Sequence, residues 1–469
     1  MQTEKGRSLK KVLVVGLGVS GRSVCELLLR QGHQVMGTDL RSREQFGSDL
    51  DVLEQRGCSF NLGLHEQKDF FRADQIIVSP GVPLDLPPLQ EAGRRGIEVI
   101  GELDWAWCQV DVPTVAVSGT NGKTTTTALI GEILKNSGKK VFVGGNIGTP
   151  LSHWVLSGEK ADLLVLEVSS FQLDTAYHFR PEIGVLLNVT EDHLDRYNSF
   201  AAYIDSKFSL FSRQNNRYTA IVNGDDPICR RRMSDIPCRT LTFSRVDPNA
   251  HAALRGSKVW VEVPGIDPFS LNLDSASLKG VHNEENILAS VLVGAVLGAS
   301  PSVMQQSIDQ HRSMPHRLEW VGSWRGINFY DDSKATNVGA VIKALENFDR
   351  SVLLLLGGRD KLGSYMELGR FLRDRGKAAI VFGEAAPRLH QELTKWAPTW
   401  SFTGLQGAFG KAVSLAEPGD TVLLSPACSS FDQYTSYAQR GDHFKQLVAQ
   451  LIAGGRPTTR NEGCQRLGA

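Results

Sequence analysis

The chain has 469 residues, of which 41% are hydrophobic and 22% charged, and its 51 lysines and arginines balance its 51 aspartates and glutamates. This length predicts about three domains of a globular protein. Because the net charge is zero, the composition favours neither a nucleic acid nor an anionic membrane surface as a partner. We expect a monomer that binds neither nucleic acid nor membranes.

The chain shows no sign of export or membrane insertion. Its first residues lack the apolar core of a signal peptide, and the most apolar helix candidate, residues 287–299, is too short to span a bilayer. The seven cysteines form no CxxC pairs, so they indicate neither a zinc site nor a disulfide framework. Scattered cysteines are typical of a reducing compartment, and we expect a cytoplasmic protein.

The first block, residues 1–108, alternates apolar strands with amphipathic helices such as residues 23–30. This alternation predicts a parallel, doubly wound sheet. The predicted strands are residues 12–15, 34–38, 75–78 and 98–100.

The glycine-rich turn at residues 16–21 (GLGVSG) matches G-x-G-x-x-G. It follows a strand and opens a helix, and Asp39 ends the next strand. Taken alone, this pattern indicates an NAD-dependent oxidoreductase. A UDP-sugar offers the same diphosphate and ribose, however, and a tight turn without a ligand also fits the pattern.

The second block, residues 109–313, begins with a second glycine-rich turn. Residues 115–125 (VAVSGTNGKTT) run from an apolar strand through this turn into a helix that reaches residue 134. Backbone N–H groups at a helix start attract phosphate oxygens, Lys123 adds a charge, and the Thr124 hydroxyl suits Mg²⁺. Val117 replaces the first glycine of the strict P-loop pattern. We interpret the turn as a nucleoside triphosphate site, which a dehydrogenase does not need.

The third block, residues 314–469, again alternates strands and helices. The predicted fold is therefore α/β with three domains, in which Rossmann-like N-terminal and C-terminal domains flank a central P-loop-type ATPase domain. Further predicted strands are residues 163–166, 183–187, 220–222, 351–356, 378–382 and 421–424, and further predicted helices are residues 200–211 and 286–297.

Seven more strings follow the phosphate loop: GNIG (145–148), EVSSFQL (167–173), NVTEDHLD (188–195), HNEEN (282–286), HR (316–317), DSKATN (332–337) and SPACSSFD (425–432). In this order, over nearly the whole chain, they resemble the Mur ligases of peptidoglycan synthesis, and most closely those that add D-glutamate to UDP-N-acetylmuramoyl-L-alanine. The resemblance implies that ATP converts the substrate carboxylate into an acyl phosphate, which the amine of D-glutamate attacks.

The resemblance also assigns roles to individual residues. It implies ATP binding by Gly119, Thr120, Asn121, Gly122, Lys123, Thr124, Thr125, Asn286, Arg317 and Asp332. It implies two Mg²⁺ sites held by Thr124, Glu167, His193 and Lys207, with Lys207 carbamylated by CO₂. It implies binding of the UDP substrate by Gly18, Val19, Ser20, Asp39, Arg41, Ser79, Gly81, Asn146 and His193. It implies D-glutamate binding by Thr336, Lys361, Ser430 and Tyr437, where Tyr437 replaces the more common phenylalanine, and catalytic roles for Lys123, Lys207, His193 and Lys334.

Other readings stay open at this point. Folylpolyglutamate synthase shares the phosphate loop but lacks a separate N-terminal nucleotide domain. The Mur ligases that add diaminopimelate or lysine usually carry an Asp-Asn-Pro-Arg-type string, which this chain lacks. An oxidoreductase would bind NAD at residues 16–21, and a non-catalytic nucleotide sensor would not need Glu167, His193 and Lys207.

Overall fold

The strands lie in three sheets, one in each predicted block. This arrangement comes from a computed structural model, which describes residues 9–194, 196–276, 278, 280–311, 315–348, 351–360 and 364–454. No helix in these ranges combines the length and the apolar composition needed to cross a bilayer.

The first sheet has five parallel strands in the order β3-β2-β1-β4-β5. The strands are β1 (Lys11–Val15), β2 (Gln34–Asp39), β3 (Ser59–Leu62), β4 (Gln75–Val78) and β5 (Glu98–Gly101). The helices are α1 (Val19–Arg30), α2 (Arg43–Phe46), α3 (Asp51–Gln55), α4 (Gln67–Arg72), α5 (Pro87–Arg94) and α6 (Glu102–Trp107). The strand order reverses at β1, and open α/β sheets bind ligands beside such a reversal.

The central sheet has nine strands in the order β14-β13-β12-β11-β10-β9-β6-β8-β7. The strands are β6 (Thr114–Ser118), β7 (Val141–Gly145), β8 (Leu163–Glu167), β9 (Ile183–Leu186), β10 (Thr219–Asn223), β11 (Arg239–Ser244), β12 (Ala252–Arg255), β13 (Lys258–Val261) and β14 (Phe269–Asn272). The helices are α7 (Lys123–Asn136), α8 (Leu151–Ser157), α9 (Ser170–Leu173), α10 (Phe200–Phe208), α11 (Pro227–Arg232), α12 (Val281–Val296) and α13 (Pro301–Gln310). Short 3₁₀ turns, Ser209–Phe211 and Met233–Asp235, follow α10 and α11.

The third sheet has six strands in the order β15-β16-β20-β17-β18-β19, and only its edge strand β15 runs antiparallel to its neighbour. The strands are β15 (Glu319–Trp324), β16 (Ile327–Asp331), β17 (Val352–Gly357), β18 (Gly376–Phe382), β19 (Thr399–Phe402) and β20 (Thr421–Leu424). The helices are α14 (Val338–Leu345), α15 (Met366–Arg375), α16 (Ala386–Leu393), α17 (Leu405–Leu415) and α18 (Tyr437–Ile452).

The central strands of each sheet are buried on both faces. Every residue of β6, β8 and β17 is buried, because helices cover both sides of a parallel sheet. Polar groups therefore collect where these strands end, and the carboxyl ends of β6 and β8 carry the phosphate loop and Glu167.

The first block joins the central block through α6, the helix after its last strand. The buried Glu102 carboxylate accepts a hydrogen bond from the Ser152 amide at 2.9 Å, and Asp104 accepts bonds from the Tyr177 and His178 amides at 2.7 and 2.9 Å. Both carboxylates thus satisfy backbone donors of the central block that burial would otherwise leave unpaired.

The third block contacts the central block beside the phosphate loop. The Asn337 amide donates to the Asp192 carboxylate at 2.9 Å and to the Asn121 side-chain oxygen at 3.3 Å. Residues of the third block therefore lie at the phosphate loop in this structure.

Candidate active site

The phosphate loop, residues 119–122, connects β6 to α7. Gly119 and Gly122 have φ values of 149° and 86°, which residues with side chains rarely adopt. A Cβ at Gly122 would also lie 2.3 Å from the Asn286 side-chain oxygen. The Lys123 amine donates to the Gly119 and Thr120 carbonyls at 2.9 Å each, so it lies over the loop, where it can exchange these partners for phosphate oxygens.

An oxygen-rich cluster lies beside the loop. The Thr124 hydroxyl donates to Glu167 at 2.7 Å, and the Asn146 amide donates to the other Glu167 oxygen at 2.8 Å. Thr124 and Glu167 are 4% and 2% exposed. A hydroxyl and a carboxylate in contact are ligands that Mg²⁺ prefers, so these two residues fit the metal that ATP carries.

Lys207 contacts the same loop. It is 2% exposed, and its amine donates to the Gly119 carbonyl at 2.9 Å. Burial, followed by the charge of Lys123, holds the pKa of this amine well below its usual value. The amine lies 4.6 Å from the centre of the Tyr203 ring, which lies 6.3 Å from the His193 ring. Tyr203 therefore packs against both His193 and Lys207.

The two asparagines of the HNEEN string lie near the loop on α12. The Thr126 hydroxyl donates to the Asn286 oxygen at 3.1 Å, and the Asn286 amide donates to Asn283 at 3.3 Å. These two asparagines, three residues apart on α12, therefore lie on the same helix face. Asn286 is the one that reaches the loop, where Gly122 leaves space for its side chain.

The third block brings cations to the same place. Burial lowers the pKa of Arg317, and the charges of Glu167 and Asp332 oppose this shift. Burial and Arg317 together lower the pKa of Lys334 to about 8, again against Glu167. Both buried cations therefore interact with the Glu167 carboxylate, which favours their charged forms.

Asp332 and Tyr437 lie beside these cations. Burial raises the pKa of Asp332 to about 7, although Ser425 and the Leu318 amide donate to its carboxylate. The Lys334 amine lies 3.8 Å from the centre of the Tyr437 ring. Of the other D-glutamate candidates, Thr336 lies in the loop between β16 and α14 that also carries Asp332 and Lys334. Ser430 is buried, and Lys361 lies outside the described residues.

The candidate loops of the third block meet at Arg440, a residue that the sequence analysis missed. Arg440 is a large side chain that is fully buried. Its guanidinium donates to the Ser333 hydroxyl and carbonyl at 3.0 and 2.9 Å, to the Gly357 carbonyl at 3.1 Å, and to the Cys428 and Ser429 carbonyls at 3.2 and 3.4 Å. It therefore joins three loops, which carry Lys334, residues 358–360 and Ser430.

Replacing Arg440 with lysine is expected to destabilise the third domain by about 3 kcal/mol, because several buried carbonyls lose their donors. We also expect a higher KM for D-glutamate, with KM for ATP changed less. Urea unfolding and initial rates measure the two effects. Wild-type values for both in Arg440→Lys would contradict a role in joining these loops.

The glycine turn of the first block is built for close approach to a ligand. A Cβ at Gly21 would lie 1.9 Å from the Gly16 carbonyl oxygen, so the turn closes tightly. Gly18, in an extended conformation, precedes α1, in which Val19 and Ser20 are the first residues. Their amides are thus at a helix N-terminus, which favours a diphosphate.

Asp39 and Arg41 form a hydrogen-bonded ion pair next to this turn. Arg41 donates to the Asp39 carboxylate through its amide, Nε and a terminal nitrogen at 2.8 to 3.0 Å, and the Leu17 amide donates to it at 2.7 Å. Burial alone would raise the pKa of Asp39, but these hydrogen bonds hold it below its usual value. The Ser79 hydroxyl donates to the Gly16 carbonyl at 2.8 Å, so the neighbouring loop also contacts the turn.

Three domains of one known protein family match most of the chain. Residues 10–101 match the MurD-like N-terminal domain of Mur ligases, residues 117–294 match the Mur ligase middle domain, and residues 316–428 match the glutamate ligase domain of Mur ligases. Among solved structures, UDP-N-acetylmuramate-alanine ligase MurC of Thermotoga maritima has a TM-score of 0.59 at 20% identity and covers 93% of this chain and 99% of its own. This structural similarity supports the three-domain α/β fold.

Curated relatives are similar over nearly their full length. UDP-N-acetylmuramoylalanine--D-glutamate ligase of Desulfosudis oleivorans is 44% identical, and the alignment covers 95% of this chain and 97% of the relative. The enzyme of the same name from Koribacter versatilis is 41% identical over 94% of this chain and 98% of the relative. With all three domains matched in order, the chain belongs to the Mur ligase family.

Proposed function

We propose that this Mur ligase uses ATP to join D-glutamate to the L-alanyl carboxylate of UDP-N-acetylmuramoyl-L-alanine in peptidoglycan synthesis. The observation that carries this proposal is the near full-length similarity to ligases named for that reaction. The two phosphate-binding turns support it, because one lies in the first block and the other in the central block. A ligase of this kind must hold two nucleotide substrates at once.

The reaction needs an activated carboxylate, since a carboxylate itself is a poor electrophile. The substrate oxygen attacks the γ-phosphorus of ATP, which forms an acyl phosphate and releases ADP. The neutral amine of D-glutamate then attacks the acyl carbon, its nitrogen releases a proton to water, and phosphate leaves with its electron pair from the tetrahedral intermediate. Lys123, Arg317 and Lys334 supply the positive charge that draws these anions together.

We propose that Thr124 and Glu167 hold the Mg²⁺ of ATP, which supplies positive charge to the phosphate oxygens when bound. A second site would use His193 and Lys207. The Lys207 amine attacks the carbon of CO₂: an N–C bond forms while one C=O π pair moves onto oxygen, and the nitrogen releases a proton to water, which leaves a carbamate. Only a neutral amine can react in this way, and burial of Lys207 favours the neutral amine.

The remaining assignments follow the same division of the chain. We propose that domain 1 (residues 1–108) binds the UDP group through its glycine turn, Asp39, Arg41 and residues 79–81. Domain 2 (109–313) binds ATP, with Asn286 at the adenine and Asn146 and His193 toward the muramoyl group. Domain 3 (314–469) binds D-glutamate through Thr336, Lys361, Ser430 and Tyr437, while Asp332 binds the ATP ribose. A cytoplasmic monomer suits this reaction.

Phosphate release is expected only when ATP, UDP-N-acetylmuramoyl-L-alanine and D-glutamate are all present. A coupled phosphate assay measures it, and mass spectrometry identifies the amide product. L-Glutamate, diaminopimelate and lysine serve as controls, and each should give less than a tenth of the rate. Faster turnover with one of the controls would contradict the assigned amino acid, and oxidation of NADH in place of phosphate release would contradict the ligase.

A further inference from the structure

Arg196 reaches from the central domain across to the first domain. Its two terminal nitrogens donate to the Gly81 carbonyl at 3.3 Å and the Val82 carbonyl at 3.2 Å. The guanidinium also lies 4.5 Å from the centre of the Phe171 ring, a distance at which a cation and an aromatic face attract each other. Arg196 thus contacts both walls of the cleft between the two domains.

On the first-domain side, this contact leads to the glycine turn. A Cβ at Gly16 would lie 2.9 Å from a Val82 methyl and 3.0 Å from the Ser79 Cβ, so residues 79–82 pack directly on Gly16. The Ser79 hydroxyl adds its bond to the Gly16 carbonyl. Because the packing leaves no free space, the position of residues 79–82 fixes the position of the turn.

On the central side, Arg196 is held by the segment that carries His193. The Arg196 and Tyr197 amides donate to the His193 carbonyl at 2.9 and 3.1 Å. The Phe171 ring beneath the guanidinium meets the His193 ring edge-on at 4.7 Å. His193 and Arg196 are therefore connected both through the backbone and through the Phe171 ring that they share.

The cleft that Arg196 crosses has a volume of about 460 Å³, and Pro80, Val82, Leu84, Phe171 and Tyr197 are among its lining residues. From these contacts we infer that Arg196 is a positioning residue for the UDP substrate. It holds residues 79–82, and through them the glycine turn, at the distance from His193 that the bound substrate requires. The inference rests on the proposed function, since it takes the glycine turn as the diphosphate site.

Replacing Arg196 with methionine removes both donors but keeps the apolar stem. We expect the dissociation constant to rise about tenfold, both for UDP-N-acetylmuramoyl-L-alanine and for UDP alone, because two hydrogen bonds are lost. KM for ATP should change less than twofold. Arg196→Lys, whose single amine can bond one of the two carbonyls, should recover about half of the loss on a logarithmic scale.

Isothermal titration calorimetry of the full chain with each ligand measures these constants, and initial rates give KM for ATP. Arg180→Met is the matched control, because Arg180 is exposed and its guanidinium lies over the ring of Tyr218, a residue of the central domain. This variant should bind both ligands as the wild type does. Unchanged UDP binding in Arg196→Met with weakened binding of the whole substrate would overturn the inference, since Arg196 would then contact the sugar itself. An equal rise in KM for ATP would also overturn it, as a general loss of structure.

This test can be separated from the test of the proposed function. If wild-type protein does not turn over with D-glutamate, the proposed function fails whatever Arg196 does. If wild-type protein turns over and Arg196→Met binds UDP normally, the inference about Arg196 alone fails.

Discussion

Replacing Lys123 with alanine is expected to lower ligase turnover by roughly 10³-fold, because the developing charge on the transferred phosphoryl group loses a fixed cation. Affinity for the UDP substrate should stay within about twofold of the wild type. The reason for this split is position: Lys123 lies on the phosphate loop, whereas the proposed UDP groups lie in the first domain. Initial rates and calorimetry measure the two quantities.

Lys123→Arg is the informative control for this prediction. Arginine keeps the charge but replaces a compact ammonium by a planar group, so we expect turnover to recover only in part. Loss of UDP-substrate binding together with turnover in Lys123→Ala would contradict the division of the site between two domains. Activity near the wild-type level would contradict the role of the loop itself.

Lys207→Ala is expected to lose activity by roughly 10²–10³-fold and to recover part of it in acetate or formate. The small carboxylate would occupy the space of the missing carbamate. Rescue distinguishes this role from a purely structural one, because the Lys207 amine also bonds the Gly119 carbonyl and its loss disturbs the loop. Rates measured across a series of carboxylic acids give the size dependence of rescue.

Carbamylation also has a direct readout. Wild-type protein equilibrated with ¹³C-labelled CO₂ should show a carbamate carbon signal in NMR spectra that Lys207→Ala lacks. Forming the carbamate releases a proton, so the signal should grow as pH rises. Absence of the signal in the wild type would contradict the carbamate, and full activity of Lys207→Ala would contradict any catalytic role.

Patterns along the sequence predicted the buried parts of the fold well. Predicted strands at residues 75–78 and 421–424 coincide with β4 and β20, because a buried parallel strand is continuously apolar. The antiparallel strands β12 to β14 were not predicted. In β13, for example, the buried Val259 and Val261 alternate with the less buried Lys258 and Trp260 over only four positions, which is too short a pattern to separate from a loop.

The sequence motifs supplied candidate residues whose polar side chains contact one another, and they missed a residue whose partners are backbone groups. The contact between Thr124 and Glu167 joins two quoted motifs. Arg440, in contrast, lies on α18 among polar residues typical of an exposed helix face, yet it is fully buried. Its acceptors are mainly backbone carbonyls. Every residue carries a backbone carbonyl, so no residue type in the sequence indicates where such an acceptor lies.

The buried carboxylates of α6 limit how this enzyme can be recombined with its relatives. Glu102 and Asp104 belong by sequence to the first domain but bond amides at residues 152, 177 and 178 of the second. A chimera that exchanges residues 1–108 for a foreign domain therefore also exchanges the partners of these amides. Crossovers placed before residue 102 keep each carboxylate with its amides, so the exchangeable unit ends with β5, one helix before the predicted boundary at residue 108.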